Sequence, residues 1–248
     1  MPTVRDIRAQ AGEEPITMLT AYDALGAGIL DDAGVDVILI GDSMGNAVLG
    51  YENTLPVTVD EIASRTAAVA RGADEALVVA DMPFLSFGVD TADTVENAGR
   101  MLKEAGANAV KIESGPHTVD LTEHLTDLGI PVMAHVGLTP QSVNQTGYTR
   151  QGADPEQAQE FFDLAVAHEE AGAFGCVLEH IPANLAGAIT EELDIPTIGI
   201  GAGGDCDGQV LVINDAVGLS DGTPPFAEAF GDVRGEMTGA VEDYVEAV

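Results

Sequence analysis

Five short aliphatic runs in this 248-residue chain end in ionisable side chains. They read Val37-Ile-Leu-Ile-Gly-Asp42-Ser43, Ala76-Leu-Val-Val-Ala-Asp81, Ala109-Val-Lys111-Ile-Glu113, Ala134-His135 and Cys176-Val-Leu-Glu179-His180. An isolated acid after a strand suits a helix cap or a turn, the role expected of Asp23 and Asp60. Several in register are harder to place so, because burying carboxylates together is costly unless a cation compensates. Asp42, Asp81 and Glu113 come from successive runs and offer only oxygen. That set suits a hard cation such as Mg²⁺, with water and substrate oxygens completing the shell. Strand alternation places Lys111 and Glu113 on one face and Val110 and Ile112 on the other. The polar pair belongs either to a reacting centre or to an internal Lys–carboxylate bridge. His135 fits a metal ligand, a hydrogen-bond partner for substrate or a satisfied core histidine. Glu179 stands apart in an apolar run. It fits a general base of raised pKa, or a salt bridge or cap beside His180.

The runs themselves say what positions these groups. Eight strands are expected: Pro15–Ala21, Val35–Gly41, Ala76–Ala80, Ala109–Glu113, Pro131–Val136, Phe174–Glu179, Pro196–Ile200 and Val210–Val217. Helical patterns over Ala24–Ala33, Val59–Arg71, Thr91–Ala105, Val119–Leu128, Pro155–Ala171 and Ala183–Leu193 alternate with them. Glycine follows four of these helices, at Gly34, Gly106, Gly129 and Gly172, where a left-handed C-cap turns the chain back. Alternation of this kind gives a parallel sheet, and eight strands give a (βα)₈ TIM barrel with its site at the strand C-termini. The length agrees with one such barrel over residues 1–248. The seventh unit is irregular, because Gly201–Gln209 is too short for a full helix, and the tail from Pro225 to Val248 reads as helical. The Gly199-Ile-Gly-Ala-Gly-Gly204 stretch lies where many barrels bind phosphate, and equally suits tight packing.

Composition narrows the function classes. With 42 acidic against 9 basic residues the formal net charge is -33, a field that repels nucleic acid and anionic membranes. So dense a carboxylate coat, with Lys103 and Lys111 the only lysines, fits a salt-adapted surface. Cys176 and Cys206 form no zinc or disulfide framework. The N-terminal stretch has no signal-type apolar run and no segment is long enough to span a bilayer, so a cytoplasmic protein is expected.

The chain resembles the ketopantoate hydroxymethyltransferase family. The matching stretches are Met18-Leu-Thr-Ala-Tyr-Asp23, Gly41-Asp-Ser-Met-Gly45, Thr54-Leu-Pro-Val-Thr58, Ala80-Asp-Met-Pro-Phe84, Val110-Lys-Ile-Glu113, Ala134-His-Val-Gly-Leu-Thr-Pro-Gln-Ser-Val143, Leu178-Glu179, Gly199-Ile-Gly-Ala-Gly203 and Asp207-Gly-Gln-Val-Leu-Val212. The resemblance implies a (βα)₈ barrel, Mg²⁺, and one-carbon transfer from 5,10-methylenetetrahydrofolate, or a related pterin, to 3-methyl-2-oxobutanoate. It implies that Asp42 and Asp81 bind the metal, with Glu113 completing the sphere directly or through water. Ser43 and Lys111 would bind the keto acid, with His135 beside it, and Glu179 would accept the proton. A homodecamer of two pentameric rings is also implied. Two segments depart from the family pattern: the loop Gln145–Gly152, shorter and rearranged, and the tail after Gly218.

Three other readings stay open on the residues alone. Lys111 suits a Schiff-base aldolase, with Glu113 assisting its proton transfers. The acidic strand ends suit a metal-dependent lyase of another keto acid. A non-catalytic ring-forming scaffold leaves the inward Lys111, Glu113 and Glu179 without a role.

Overall fold

A computed structural model describes residues 2–248. Its centre is a closed barrel of eight parallel strands in sequence order. They are β1 (Ile16–Thr20), β2 (Val37–Ile40), β3 (Leu77–Asp81), β4 (Ala109–Glu113), β5 (Val132–Gly137), β6 (Gly175–Glu179), β7 (Thr197–Ile200) and β8 (Gly208–Leu211). The expected TIM barrel is therefore present, with its strands closed by β1–β8 pairing.

Alternation along each strand sorts the core into two shells. The inner shell includes Ile16, Met18, Val37, Leu39, Leu77, Val79, Ala109, Met133, Val177, Ile198 and Val210. Ile7, from the N-terminal helix Val4–Gln10, packs into this same cluster and closes the bottom of the barrel. The intervening residues, such as Ile38, Ile40, Val78, Val110 and Ile112, face outward and pack under the helices. Aliphatic side chains on both faces explain why the strands read as continuous hydrophobic runs.

Local signals behave largely as expected. Asp23 caps the helix Ala24–Asp32, accepting from Gly26 N at 2.7 Å. Gly34, Gly106, Gly129 and Gly172 all have φ between 82° and 91°. Asp60 is not a cap: the cap is Thr58, two residues earlier, in a capping box with Glu61, and Asp60 instead pairs with Arg100 at 2.6 Å. The last strand begins at Gly208 and ends at Leu211, because the chain bends into a short helix, Ile213–Ala216, where Thr20 Oγ1 accepts from Ile213 N. No helix lies between β7 and β8. In the tail, helix starts only at Val233 and runs to Ala247; the preceding Pro224–Gly231 stretch crosses the top of the barrel instead, with Phe226 against His180.

Candidate active site

The inner apolar shell stops short of the strand C-termini, and polar side chains take over the same parity. Asp81 continues Leu77 and Val79; Lys111 and Glu113 continue Ala109; His135 continues Met133; Glu179 continues Val177. Strand register pairs Asp81 with Lys111 and Glu113 with His135. Asp42 lies beyond the end of β2, where its backbone N–H donates to Asp81 Oδ2 at 3.0 Å. The structure thus brings the five strand-end groups and Asp42 into one cluster at the top of the barrel.

A chain of contacts runs through it. Lys111 Nζ lies 2.7 Å from Asp81 Oδ1. The same ammonium lies 3.3 Å from His135 Nδ1, and His135 Nε2 lies 3.1 Å from Glu179 Oε2. An ammonium only donates, so Nδ1 accepts and the neutral ring carries its proton on Nε2, facing Glu179. The internal Lys–carboxylate pair is real, and its partner is Asp81 rather than Glu113. Glu113 turns away, both its oxygens accepting from Gln141 N at 3.0–3.1 Å.

The electrostatics are lopsided. Asp42, Asp81, Glu113 and Glu179 surround a single ammonium, Lys111. Burial, reinforced by Asp81, pushes the Asp42 carboxyl up to about 7. Burial and then Asp42 hold Glu113 well above the usual carboxylate range. Glu179 is pushed up to about 7 by burial, an effect Lys111 partly relieves. Burial works against the Lys111 ammonium, yet Asp81 and Asp42 outweigh it and raise its pKa. Burial and then Lys111 depress His135 well below its ordinary value, so the ring is neutral.

Surplus negative charge of this kind fits a divalent cation. The donor chemistry agrees: Asp81 Oδ1 is buried without an aligned hydrogen bond, despite its closeness to Lys111. Among the described residues no three His, Cys, Asp or Glu side chains converge as a complete metal site. Asp42 and Asp81 are the adjacent pair, and Glu113 stands back against Gln141. Two carboxylates with the rest of the shell left to water and substrate is a usual magnesium arrangement.

Three residues were missed in the sequence. Gln141 donates from Nε2 to Asp42 Oδ2 at 2.9 Å and to Met82 O at 3.0 Å, while its backbone holds Glu113. Its place depends on Gly137, whose φ is 109° and where a Cβ would sit 2.3 Å from Glu179 O. Only glycine permits that close approach, which turns the chain after β5 inward. The Gly-Leu-Thr-Pro-Gln motif was the available signal. Tyr22, buried, lies 3.0 Å from Ser43 Oγ and orients the half-buried serine. Tyr148 sits on the rim, where desolvation and then Asp42, Glu179 and Glu113 raise its pKa. The loop carrying it is anchored after Tyr148, through Arg150 to Ile181 O and Gln151 N to His180 O. The Gly199–Gly204 stretch is explained by packing: a Cβ at Gly201 would meet the Phe226 ring at 3.0 Å, and one at Gly203 would meet Ala183 at 2.5 Å.

Comparison with known proteins bears on the family and the fold. The family model described as ketopantoate hydroxymethyltransferase matches residues 2–248. A protein of Haloarcula marismortui named 3-methyl-2-oxobutanoate hydroxymethyltransferase is 73% identical, over 100% of this chain and 92% of its own length. One of the same name from Synechocystis is 54% identical, over 94% of this chain and 90% of its own. Among solved structures, phosphonopyruvate hydrolase superposes with a TM-score of 0.69 at 15% identity, covering 98% of this chain and 88% of that one. Phosphoenolpyruvate phosphomutase from Streptomyces platensis subsp. rosaceus gives 0.68 at 16%, covering 99% and 87%; both show a shared fold. The full-length family match and the two close relatives establish that this chain belongs to the ketopantoate hydroxymethyltransferase family.

Proposed function

We propose that the chain transfers a hydroxymethyl group to 3-methyl-2-oxobutanoate, giving 2-dehydropantoate for pantothenate and coenzyme A synthesis. The donor is 5,10-methylenetetrahydrofolate or a related pterin. The observation that carries this reading is the division of labour among the buried acids. Asp42 and Asp81 form a pair at one side, and Glu179 stands across Lys111 and His135 from them.

Asp42 and Asp81 would hold Mg²⁺, with Glu113 acting through water from its place on Gln141. Bound there, the ion supplies Lewis acidity toward the keto oxygen and carboxylate of the substrate. Ser43 and Lys111 bind the keto acid, and the ammonium of Lys111 offsets charge that develops on its oxygens. Glu179 removes the proton from the methine carbon, its raised pKa making it a stronger base than an exposed carboxylate. Water first opens the donor's methylene bridge, releasing the tetrahydro form and a one-carbon carbonyl at the oxidation level of formaldehyde. The enolate carbon adds to that carbonyl carbon, and its oxygen, which came from water, takes up a proton to become the hydroxyl. His135, neutral, places Nε2 within 3.1 Å of Glu179 Oε2 without an aligned hydrogen bond, a polar neighbour to the base. Tyr148 stands where the donor would enter.

Two observations favour this over a Schiff-base route. Asp81 and Asp42 hold Lys111 as the ammonium, and the nucleophile required is the free amine. The surplus carboxylates also have no use in a metal-free aldolase. Among the described residues no helix is long and apolar enough to cross a membrane; by family analogy we infer a cytoplasmic homo-oligomer, a decamer. The test is formation of 2-dehydropantoate from the keto acid and each donor, with and without Mg²⁺, at low and high salt. Product that requires Mg²⁺ supports the reading; activity unaffected by EDTA, with borohydride trapping Lys111, overturns it.

A further inference from the structure

Little holds the carboxylate of Glu179 directly. Its contact with His135 Nε2, at 3.1 Å, is not an aligned hydrogen bond. The aim of the side chain is therefore set through its backbone. Glu179 O accepts from Leu138 N at 2.8 Å, and β6 ends at that residue. The next residue, His180, has a φ of 51°, and only Leu85 joins it as a non-glycine of positive φ among the described residues. A side chain enters this left-handed region at a cost, and such a conformation persists where its surroundings over-determine it.

Three segments supply those surroundings. From β7, Ile200 O accepts from His180 N at 2.8 Å. From the loop after β5, Gln151 N donates to His180 O at 3.1 Å, and Arg150 Nη2 donates to Ile181 O at 3.1 Å. From the segment after β8, the Phe226 ring lies against the His180 ring, with centroids 5.6 Å apart and planes tilted by 46°. Gly201 leaves room for this last contact, because a Cβ there would meet the Phe226 ring at 3.0 Å and His180 Nδ1 at 3.3 Å.

Phe226 stands on a loop built to deliver it. The loop's ends meet so closely that a Cβ at Gly218 would collide with Gly231 O. Leu219 N and Ser220 N donate to Asn214 O, and Phe230 N donates to Ala216 O at 2.7 Å. Pinned ends of this kind define an Ω-loop. Within it, a turn closed by Ala227 N on Pro224 O presents Phe226. The ring is 39% exposed, so it serves no core of its own.

We infer that Phe226 is a positioning residue of the reaction: it holds the His180 turn and, through that turn, keeps the Glu179 carboxylate aimed at the substrate. This rests on the reading of Glu179 as the base. A base must stand within hydrogen-bond reach of the proton it takes, and a misplacement of about 1 Å costs on the order of 10²-fold. The keto acid is bound from the other side, at Ser43, Lys111 and the Asp42–Asp81 pair, so its affinity does not depend on Phe226.

The test is exchange of the methine proton of 3-methyl-2-oxobutanoate, followed by NMR in deuterated buffer with Mg²⁺ and no donor. Phe226→Ala should lower kcat for exchange by about 10- to 100-fold with KM for the keto acid unchanged. Phe226→Tyr, which keeps the ring, should restore the rate. His180→Gly accepts the left-handed turn without the ring. It should show the same loss, and adding Phe226→Ala to it should cost nothing more. Circular dichroism matching the parent shows that the variants are folded, and Phe226→Leu decides the point where the alanine variant is not. Three results overturn the inference alone: exchange at the parent rate in Phe226→Ala, losses that multiply in the double variant, or intact exchange with a raised KM for the donor in the full reaction, which would make Phe226 a donor contact. A parent protein without exchange overturns the reading of Glu179 as base, and the inference with it.

Discussion

His135 Nδ1 lies 3.3 Å from Lys111 Nζ, and this contact decides what the ring offers Glu179. With Nδ1 accepting, the proton sits on Nε2, 3.1 Å from Glu179 Oε2. Nε2 is close to the carboxylate but not aligned as a hydrogen bond, so removing the ring takes away a nearby N–H dipole and favours the protonated acid. His135→Ala should shift the acid limb of the kcat/KM profile upward by less than about one pH unit, short of the worth of a full hydrogen bond. An unmoved limb with intact folding would disconnect the two residues.

Glu179 as base predicts both a rate profile and a stability profile. The proton acceptor works ionised, so kcat/KM should rise with pH through about 7. Glu179→Gln should abolish exchange of the methine proton, a loss of about 10²-fold or more, and leave Mg²⁺ affinity intact. Exchange is read by NMR in deuterated buffer, and metal affinity by calorimetry.

Stability should move the other way. A carboxyl raised from its ordinary value to about 7 binds its proton more tightly in the folded state. Its contribution is complete below about pH 4.5 and is lost as pH rises through about 7. Glu179→Gln should therefore stabilise the metal-free protein at pH 8 by up to about 3 kcal/mol, and by little at pH 5. Urea unfolding at the two pH values checks the sign.

Lys111 is the sole cation among the buried acids. Lys111→Met leaves Asp81 unpaired in the interior, a loss of about 3–5 kcal/mol. Added Mg²⁺ should recover part of this in thermal melts, because a second cation then faces the same carboxylates.

Gln141 joins the two halves of the carboxylate cluster, holding Asp42 through its side chain and Glu113 through its backbone. Gln141→Ala keeps the backbone bond to Glu113 and removes the side-chain bonds to Asp42 and to Met82 O. Metal affinity should fall by about 10- to 100-fold, the usual cost of losing an outer partner of a metal ligand. Unchanged Mg²⁺ dependence of turnover would remove Gln141 from that role.

The surface makes a separate prediction. Of 42 acidic residues, few have a cationic partner: outside the barrel top the ion pairs among the described residues involve only Arg100 and Arg234. Unpaired like charges repel over about 10 Å at 0.1 M salt and about 3 Å at 1 M. The melting temperature should therefore climb from dilute buffer to molar KCl. A flat response would sever the charge from salt adaptation.

The barrel was legible in the residues alone, because β2 to β7 bury both faces and so read as aliphatic runs, and glycine closes four of the helices. The sequence also set Lys111 and Glu113 on one face opposite Val110 and Ile112 by strand alternation, and put Asp81 and Glu179 at strand ends. It did not determine who pairs with whom. Lys111 and Glu113 share a face two residues apart, yet Lys111 reaches across the register to Asp81 and Glu113 is drawn to a backbone N–H after β5. Gln141 and Asp42 are 99 residues apart and meet only because Gly137 turns the chain inward. The tail illustrates the same limit from the other side. Its helical periodicity was legible, but not that helix begins only at Val233 while the preceding stretch stays irregular, with Phe226 against His180. Pattern fixes the direction of a side chain relative to its own element; its partner is set by the closure of the barrel.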